Sequence, residues 1–235
     1  MAGTTGFDLD GVAVVRDGVA VLDGITVAIP DTGITVVCGP SGSGKSTLLR
    51  LLNRLDDATT GTVGWRGADL ASLDPQGLRR RVAMVFQRPV VFSGSVLDNL
   101  RTVVPDLTED QAVARLADVA LGRDLLHRPA ERLSGGEAQR LCLARALTTD
   151  PEVVLADEPT ASLDAEARRH LEDLALGLRA RVGWVWVTHD TTQIERLADH
   201  VIVVEAGHVL AVGGPAALTT HDDARVRQAV TGEPQ

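Results

Sequence analysis

The residues best suited to chemistry sit in one run, Gly39-Pro40-Ser41-Gly42-Ser43-Gly44-Lys45-Ser46-Thr47. The run fits the G-x-x-x-x-G-K-[ST] phosphate-binding pattern. Glycines let a backbone curl so that successive N–H groups point inward at phosphate oxygens. A helix starting there presents its N-terminus, with free N–H donors and a partial positive charge, to the same anion. Lys45 is then placed to reach the terminal phosphates, and the Ser46 hydroxyl to meet Mg²⁺. Lys45 is the only lysine of the chain; every other cation in the Lys+Arg count is arginine. A compact ammonium differs from a forked guanidinium, and the one lysine falls where that difference counts. A second Gly-rich loop, Leu133-Ser134-Gly135-Gly136-Glu137, opens another helical pattern and is a second potential anion site. Two acids, Asp157 and Glu158, end one apolar run, and His189-Asp190 end another.

The elements around these residues read as follows. Ile34–Cys38 is a strand, and the leucines from Leu48 to Leu55 have helical spacing, so the phosphate pattern has the strand–loop–helix setting it requires. Residues 7–29 alternate as short strands, with Asp10-Gly11, Asp17-Gly18 and Asp23-Gly24 as hairpin turns. Thr62–Arg66 adds one strand-like piece, which predicts an antiparallel β portion beside the nucleotide core. Arg81–Gln87 reads as a strand ending on a polar residue. From Ser95 to Leu126 the pattern is helical, with Thr108 as a cap and Gln111 at capping-box spacing. Val153–Ala156 and Val182–Thr188 are continuous apolar runs, as parallel strands covered on both faces are. Acids at the carboxyl end of such a strand lie where open α/β sheets bind ligands. Helices are expected over Leu171–Leu178 and Ile194–Ala198, and a hairpin around Ala206-Gly207.

Composition narrows the classes. The net charge of −9 argues against a nucleic-acid binder, which carries a basic footprint. Cys38 and Cys142 lie in apolar runs with no C-x-x-C or Cys/His cluster, so they read as core residues of a reducing compartment. The N-terminus lacks the basic-then-apolar pattern of a signal peptide, and no apolar run approaches a membrane span. Any membrane contact is therefore expected to come through a partner.

Six motifs in order carry a resemblance that covers roughly residues 7–215: the phosphate loop Gly39–Thr47, Gln87, Leu133–Glu137, Asp157-Glu158, Ser162-Leu163-Asp164 and His189. The chain resembles the nucleotide-binding subunit of an ATP-binding cassette (ABC) transporter. The resemblance implies an α/β fold: a P-loop NTPase core with a mostly parallel sheet, an antiparallel β subdomain and an α-helical subdomain. It implies one ABC ATPase domain over 1–215. Within it, 7–29 and 60–72 form the β part, 33–56, 80–90 and 150–212 the core, and 93–149 the helical part with the signature loop. Residues 216–235 follow as a short tail. ATP and Mg²⁺ are the implied cofactors. Ser46, Gln87 and Asp157 would hold the metal, Glu158 would polarise the attacking water, His189 would contact the γ-phosphate, and Asp164 would shape a dimer interface. Ser134, Gly135 and Gly136 of one cassette would cover the nucleotide held by Lys45 of a second copy. The partners implied are an integral membrane permease, touched by segment 88–100, and any extracytoplasmic binding protein. The place implied is cytoplasmic, peripheral on the inner face of the cell membrane.

One departure stands out. The family places an aromatic residue where this chain has Arg16 and Asp17. Arg16 can stack on a base through its flat guanidinium, so weak discrimination between ATP and GTP is expected. The alternative is a soluble cassette ATPase acting on nucleic acid or the translation machinery. Against it stand the acidic charge, a single cassette, and too few residues over 47–133 for a coiled-coil insertion. The stretch from Phe86 to Leu100 and V-W-V-T-H-D look similar to cassettes for small inorganic ions, including phosphate importers and metal-ion exporters.

Overall fold

A computed structural model describes residues 6–232. The outermost positions of the expected domain and tail, 1–5 and 233–235, lie outside the described residues. Two sheets form. In the first, β1 (Gly6–Arg16), β2 (Val19–Pro30), β4 (Thr60–Trp65) and β5 (Ala68–Asp69) pair antiparallel in the order β2-β1-β4-β5. The second contains β3 (Ile34–Cys38), β6 (Val82–Val85), β7 (Val153–Asp157), β8 (Gly183–Val187), β9 (His200–Glu205) and β10 (His208–Gly213). Its order is β10-β9-β3-β8-β7-β6, parallel throughout except at β10.

Of the three expected turns, only Asp17-Gly18 reverses the chain, with φ 51° and 77° as a primed hairpin turn needs. Gly11 and Gly24 lie inside long strands at positive φ, where the β1–β2 register slips between Leu9 and Val12 and again before Val14. Each Asp-Gly pair is absorbed as a bulge, because the flanking Val, Leu and Ile go on burying one face.

Every residue of β3, β7 and β8 is buried, because the core sheet is covered on both sides. On one side α1 (Lys45–Leu52) and the antiparallel sheet share a core that includes Leu48, Leu52, Phe7 and Trp65. On the other, Trp184 and Trp186 face α3 (Val96–Arg101), α4 (Glu109–Asp118) and α5 (Gly135–Thr148), together with α6 (Ala165–Leu178) and α7 (Thr191–Leu197). Thr108 caps α4 in a full capping box with Gln111.

Three sequence readings change. Arg81 ends a helix, α2 (Pro75–Arg81), rather than starting a strand; Asp74 caps it, accepting from Gly77 N at 2.7 Å, and Pro75 occupies its first turn. Helices α6 and α7 begin earlier than expected, each behind an aspartate cap, Asp164 and Asp190. The stretch expected as a tail forms α8 (Pro215–Leu218) and α9 (Ala224–Thr231), with Leu218, Val226 and Val230 in the core.

The two sheets are clamped by charge. Buried Asp31 accepts from Arg66 and from Trp65 Nε1; Arg66 and Arg81 also bind Glu152, and both guanidiniums lie over the Trp65 ring at 4.9 and 4.4 Å. The Arg81 and Arg66 bonds hold the Glu152 carboxyl below the ordinary glutamate range. Its contribution is therefore present above that range and is lost as acid protonates Glu152. Replacing Arg66 by Ala leaves Asp31 with only the indole among the described residues, so stability should fall by about 1–3 kcal/mol in urea unfolding. A midpoint equal to the unmodified protein's would mean the clamp contributes nothing.

Candidate active site

Strand order decides which loops meet. Strands β3, β8, β7 and β6 are successive neighbours and run parallel, so the loops after them emerge at one edge. Those loops carry, respectively, the phosphate pattern, His189, Asp157-Glu158 and Gln87.

The phosphate loop is built for close approach. Gly39 has φ 135°, and a Cβ there would lie 1.9 Å from the Val204 carbonyl oxygen; Gly44, at φ 103°, would strike Val21 and Leu22. Ser41, Gly42 and Ser46 face solvent, Thr47 is buried in α1, and the buried Ser43 hydroxyl has no partner among the described residues. No acid occupies the first turn of α1, so its positive end is left for a ligand. Lys45 Nζ donates to the Gly39 and Pro40 carbonyls at 2.9 and 2.6 Å. Burial lowers its pKa, while Glu158, Cys38 and Asp157 pull the other way.

Beside it, burial pushes the Asp157 carboxyl up, opposed by a hydrogen bond with Ser46. No group of three His, Cys, Asp or Glu side chains able to hold a metal exists among the described residues. A hydroxyl, one carboxylate and an amide suit Mg²⁺, which takes few protein ligands and completes its shell with phosphate and water. The curled loop, unopposed helix end and free Ser43 hydroxyl fit a phosphate chain.

Glu158 follows β7 at φ 44°, a left-handed conformation that is rare for a non-glycine residue. Its carboxylate accepts from Gln87 Nε2 at 3.1 Å and meets His189 Nδ1 at 3.3 Å. The Glu158 side chain is 20% exposed and that of His189 74%. Lys45, Ser46, Gln87, Asp157, Glu158 and His189 are thus brought to one edge.

The other expected residues lie apart. Ser134 caps α5 in a capping box with Glu137, whose carboxyl is held low by bonds from the Ser134 N–H and hydroxyl. A Cβ on Gly135 would meet nothing within 4 Å, and one on Gly136 would meet only Leu163 and Ser162. No hydrogen bond joins Ser134–Gly136 to the phosphate loop among the described residues. Asp164 accepts from Ala167 N at 2.8 Å as the α6 cap. Arg16 pairs with Asp56 at 2.5 Å and stays half-exposed. Sequence reasoning passed over Thr160, Thr188 and Gln193, buried polar residues behind the site. A glutamine interrupting the apolar face of α7 beside Ile194 was the available signal.

Fold and site define a P-loop ATPase. A family model described as ABC transporter matches residues 22–161. The chain is 42% identical over 212 residues to ABC transporter I family member 17 of Arabidopsis thaliana, covering 88% of this chain and 81% of that protein. It is 42% identical over 212 residues to the phosphate import ATP-binding protein PstB of Pyrobaculum aerophilum, covering 83% and 85%. The solved structure of cbiO1 from Clostridium perfringens, part of the ABC transporter complex cbiONQ, superposes with a TM-score of 0.76 at 27% identity, over 89% of this chain and 88% of that one. The chain belongs to the ABC transporter family. It is an ATP-binding, ATP-hydrolysing transport subunit.

Proposed function

We propose that this chain works as one of a pair of identical cassettes that power a separate integral membrane permease. The observation that carries this reading is the divided site. The phosphate loop and acids converge on one edge, while the signature loop Ser134–Gly136 shares no hydrogen bond with the phosphate loop among the described residues and leaves space open at Gly135. A second copy supplies the missing wall, so ATP joins the two and hydrolysis releases them. Lys45, the loop N–H groups and the start of α1 hold the phosphates. Ser46, Asp157 and Gln87 would hold Mg²⁺, which would neutralise phosphate charge when bound. Glu158 orients and polarises the attacking water, and His189 and Gln87 fix its carboxylate from two sides.

The permease contact is proposed for the segment after Gln87. Val90 and Phe92 are exposed, yet the backbone beneath them is fixed. Asn99 bonds both the N–H and C=O of Phe92, and Arg145 donates to the Val90 carbonyl at 2.8 Å while lying over the Phe92 ring. Phosphate state sensed at Gln87 is thereby passed to a rigid apolar patch. No helix among the described residues is long and apolar enough to cross a membrane. The proposed place is therefore the inner face of the cell membrane, held there by the permease. PstB imports phosphate by its name; an inorganic ion carried here, with an extracytoplasmic binding protein, is part of the proposal.

The test is a tagged pull-down from solubilised membranes with ATP present. An integral membrane protein recovered in near-equal amount is expected. Recovery of only soluble partners, ribosomes or nucleic acid overturns the permease in favour of a soluble cassette ATPase.

Nucleotide choice gives a separate prediction. Arg16 is tied to Asp56, and no aromatic ring occupies its position. A guanidinium face stacks on any base. Competition binding should place ATP and GTP within about tenfold of each other. A preference for ATP far beyond that would show that another group reads the base.

A further inference from the structure

Behind Glu158 and His189 lies a polar cluster that the proposed mechanism does not use. Gln193, on α7, is 2% exposed. Its Oε1 accepts from the Thr188 hydroxyl at 2.7 Å. Its Nε2 donates to the Thr160 hydroxyl at 2.8 Å and to Glu172 on α6 at 2.9 Å. Glu172 is a carboxylate bound to Arg196 and can only accept, so the amide nitrogen must face it and the oxygen must face Thr188. Thr188 Oγ1 in turn accepts from Asp190 N at 3.0 Å, and Arg168 of α6 donates to Asp190 at 3.2 Å. Thr188 immediately precedes His189, and Thr160 lies two residues after Glu158.

We propose that Gln193 is a positioning residue for ATP hydrolysis: its buried carboxamide fixes the spacing between the Glu158 loop and the His189 loop. The inference rests on the roles given above to Glu158 and His189. The Glu158–His189 contact does not by itself set the spacing of its two loops, since the imidazole is largely in water and an exposed contact of that kind is worth little. One backbone bond, Glu158 N–H to the Val187 carbonyl at 3.2 Å, joins the loops directly, and the Gln193 amide adds the link from behind. The neighbours of Gln193 on α7, Ile194 and Leu197, are fully packed, and so are Leu171 and Ala175 of α6. An apolar residue at 193 would serve the packing as well. A buried polar group with all its bonds made instead selects one geometry. The same network links α6, and so its Asp164 cap at the proposed dimer contact, to the His189 loop.

The test uses the full chain and reads kcat, KM for ATP and thermal unfolding together. Gln193→Met keeps the length of the side chain and removes the amide. Thr188→Val removes the hydroxyl and keeps its shape, and Thr188→Ser restores it. Gln193→Met and Thr188→Val should each lower kcat roughly tenfold or more, with KM nearly unchanged and the fold intact. Thr188→Ser should retain near-normal kcat. In a chain already carrying Glu158→Gln, Gln193→Met should cost nothing further, since both act on one step. Unchanged kcat in the two folded variants, or a loss confined to KM, overturns the inference. Loss of the fold in both would also overturn it, because the amide would then serve the core. Should Glu158→Gln and His189→Ala themselves keep normal turnover, the assignment of the site fails, which is a different result.

Discussion

Replacing Glu158 by Gln should lower ATP turnover by roughly 10²- to 10⁴-fold, the range expected when a positioned base is lost. The substitution is isosteric. The amide oxygen can still accept from Gln87, and the residue keeps its place after β7. What disappears is the negative charge that the proposed mechanism uses to polarise the attacking water. Nucleotide binding should survive, because the groups proposed to hold phosphate are Lys45, the loop backbone and α1. Losing that charge also favours ionisation of Asp157, whose carboxyl is raised partly by repulsion from Glu158. Metal affinity should therefore be kept. The variant should collect as an ATP-bound pair of cassettes, seen as a doubled mass on sizing with ATP but not with ADP. Turnover equal to the unmodified protein would remove Glu158 from the mechanism. Lost turnover without the doubled mass would keep Glu158 and instead undo the paired-cassette reading.

The convergence of that site was legible because its parts lie at the ends of unmistakable strands. Ile34–Cys38, Val153–Asp157 and Gly183–Val187 are runs whose every residue is buried, and such runs admit few readings. What was not legible depended on pairing partners. Asp10-Gly11 and Asp17-Gly18 are the same dipeptide; one bulges within β1 and the other turns the chain. The difference lies in where the partner strand continues, which local sequence does not contain. The helix Pro75–Arg81 had a readable Asp-Pro start, but its three terminal arginines gave no apolar period. The network around Gln193 was legible only as that one glutamine on the apolar face of α7, because Thr160 and Glu172 lie 33 and 21 residues from it along the chain and meet it only after the sheet has formed.

Lys45→Ala should weaken ATP binding by roughly 10²-fold or more, as expected for removing a partner of a buried, hydrogen-bonded charge. The effect should appear in affinity first, read as Kd by calorimetry. Lys45→Arg should fail nearly as badly, although charge is conserved. Nζ reaches two carbonyls inside its own loop, at 2.9 and 2.6 Å, from a buried stem. An ammonium has three donors on one atom, so one remains to meet a phosphate oxygen. A guanidinium spreads its donors over a rigid plane and cannot bind two converging carbonyls and a phosphate from one point. Thermal unfolding should change little in either variant. Burial already disfavours the charged ammonium, and the loop is fixed by Gly39 and Gly44 packed against Val204 and Val21. Native affinity in the arginine variant would show that charge alone holds the phosphates, and that the chain's single lysine is there for some reason other than its shape.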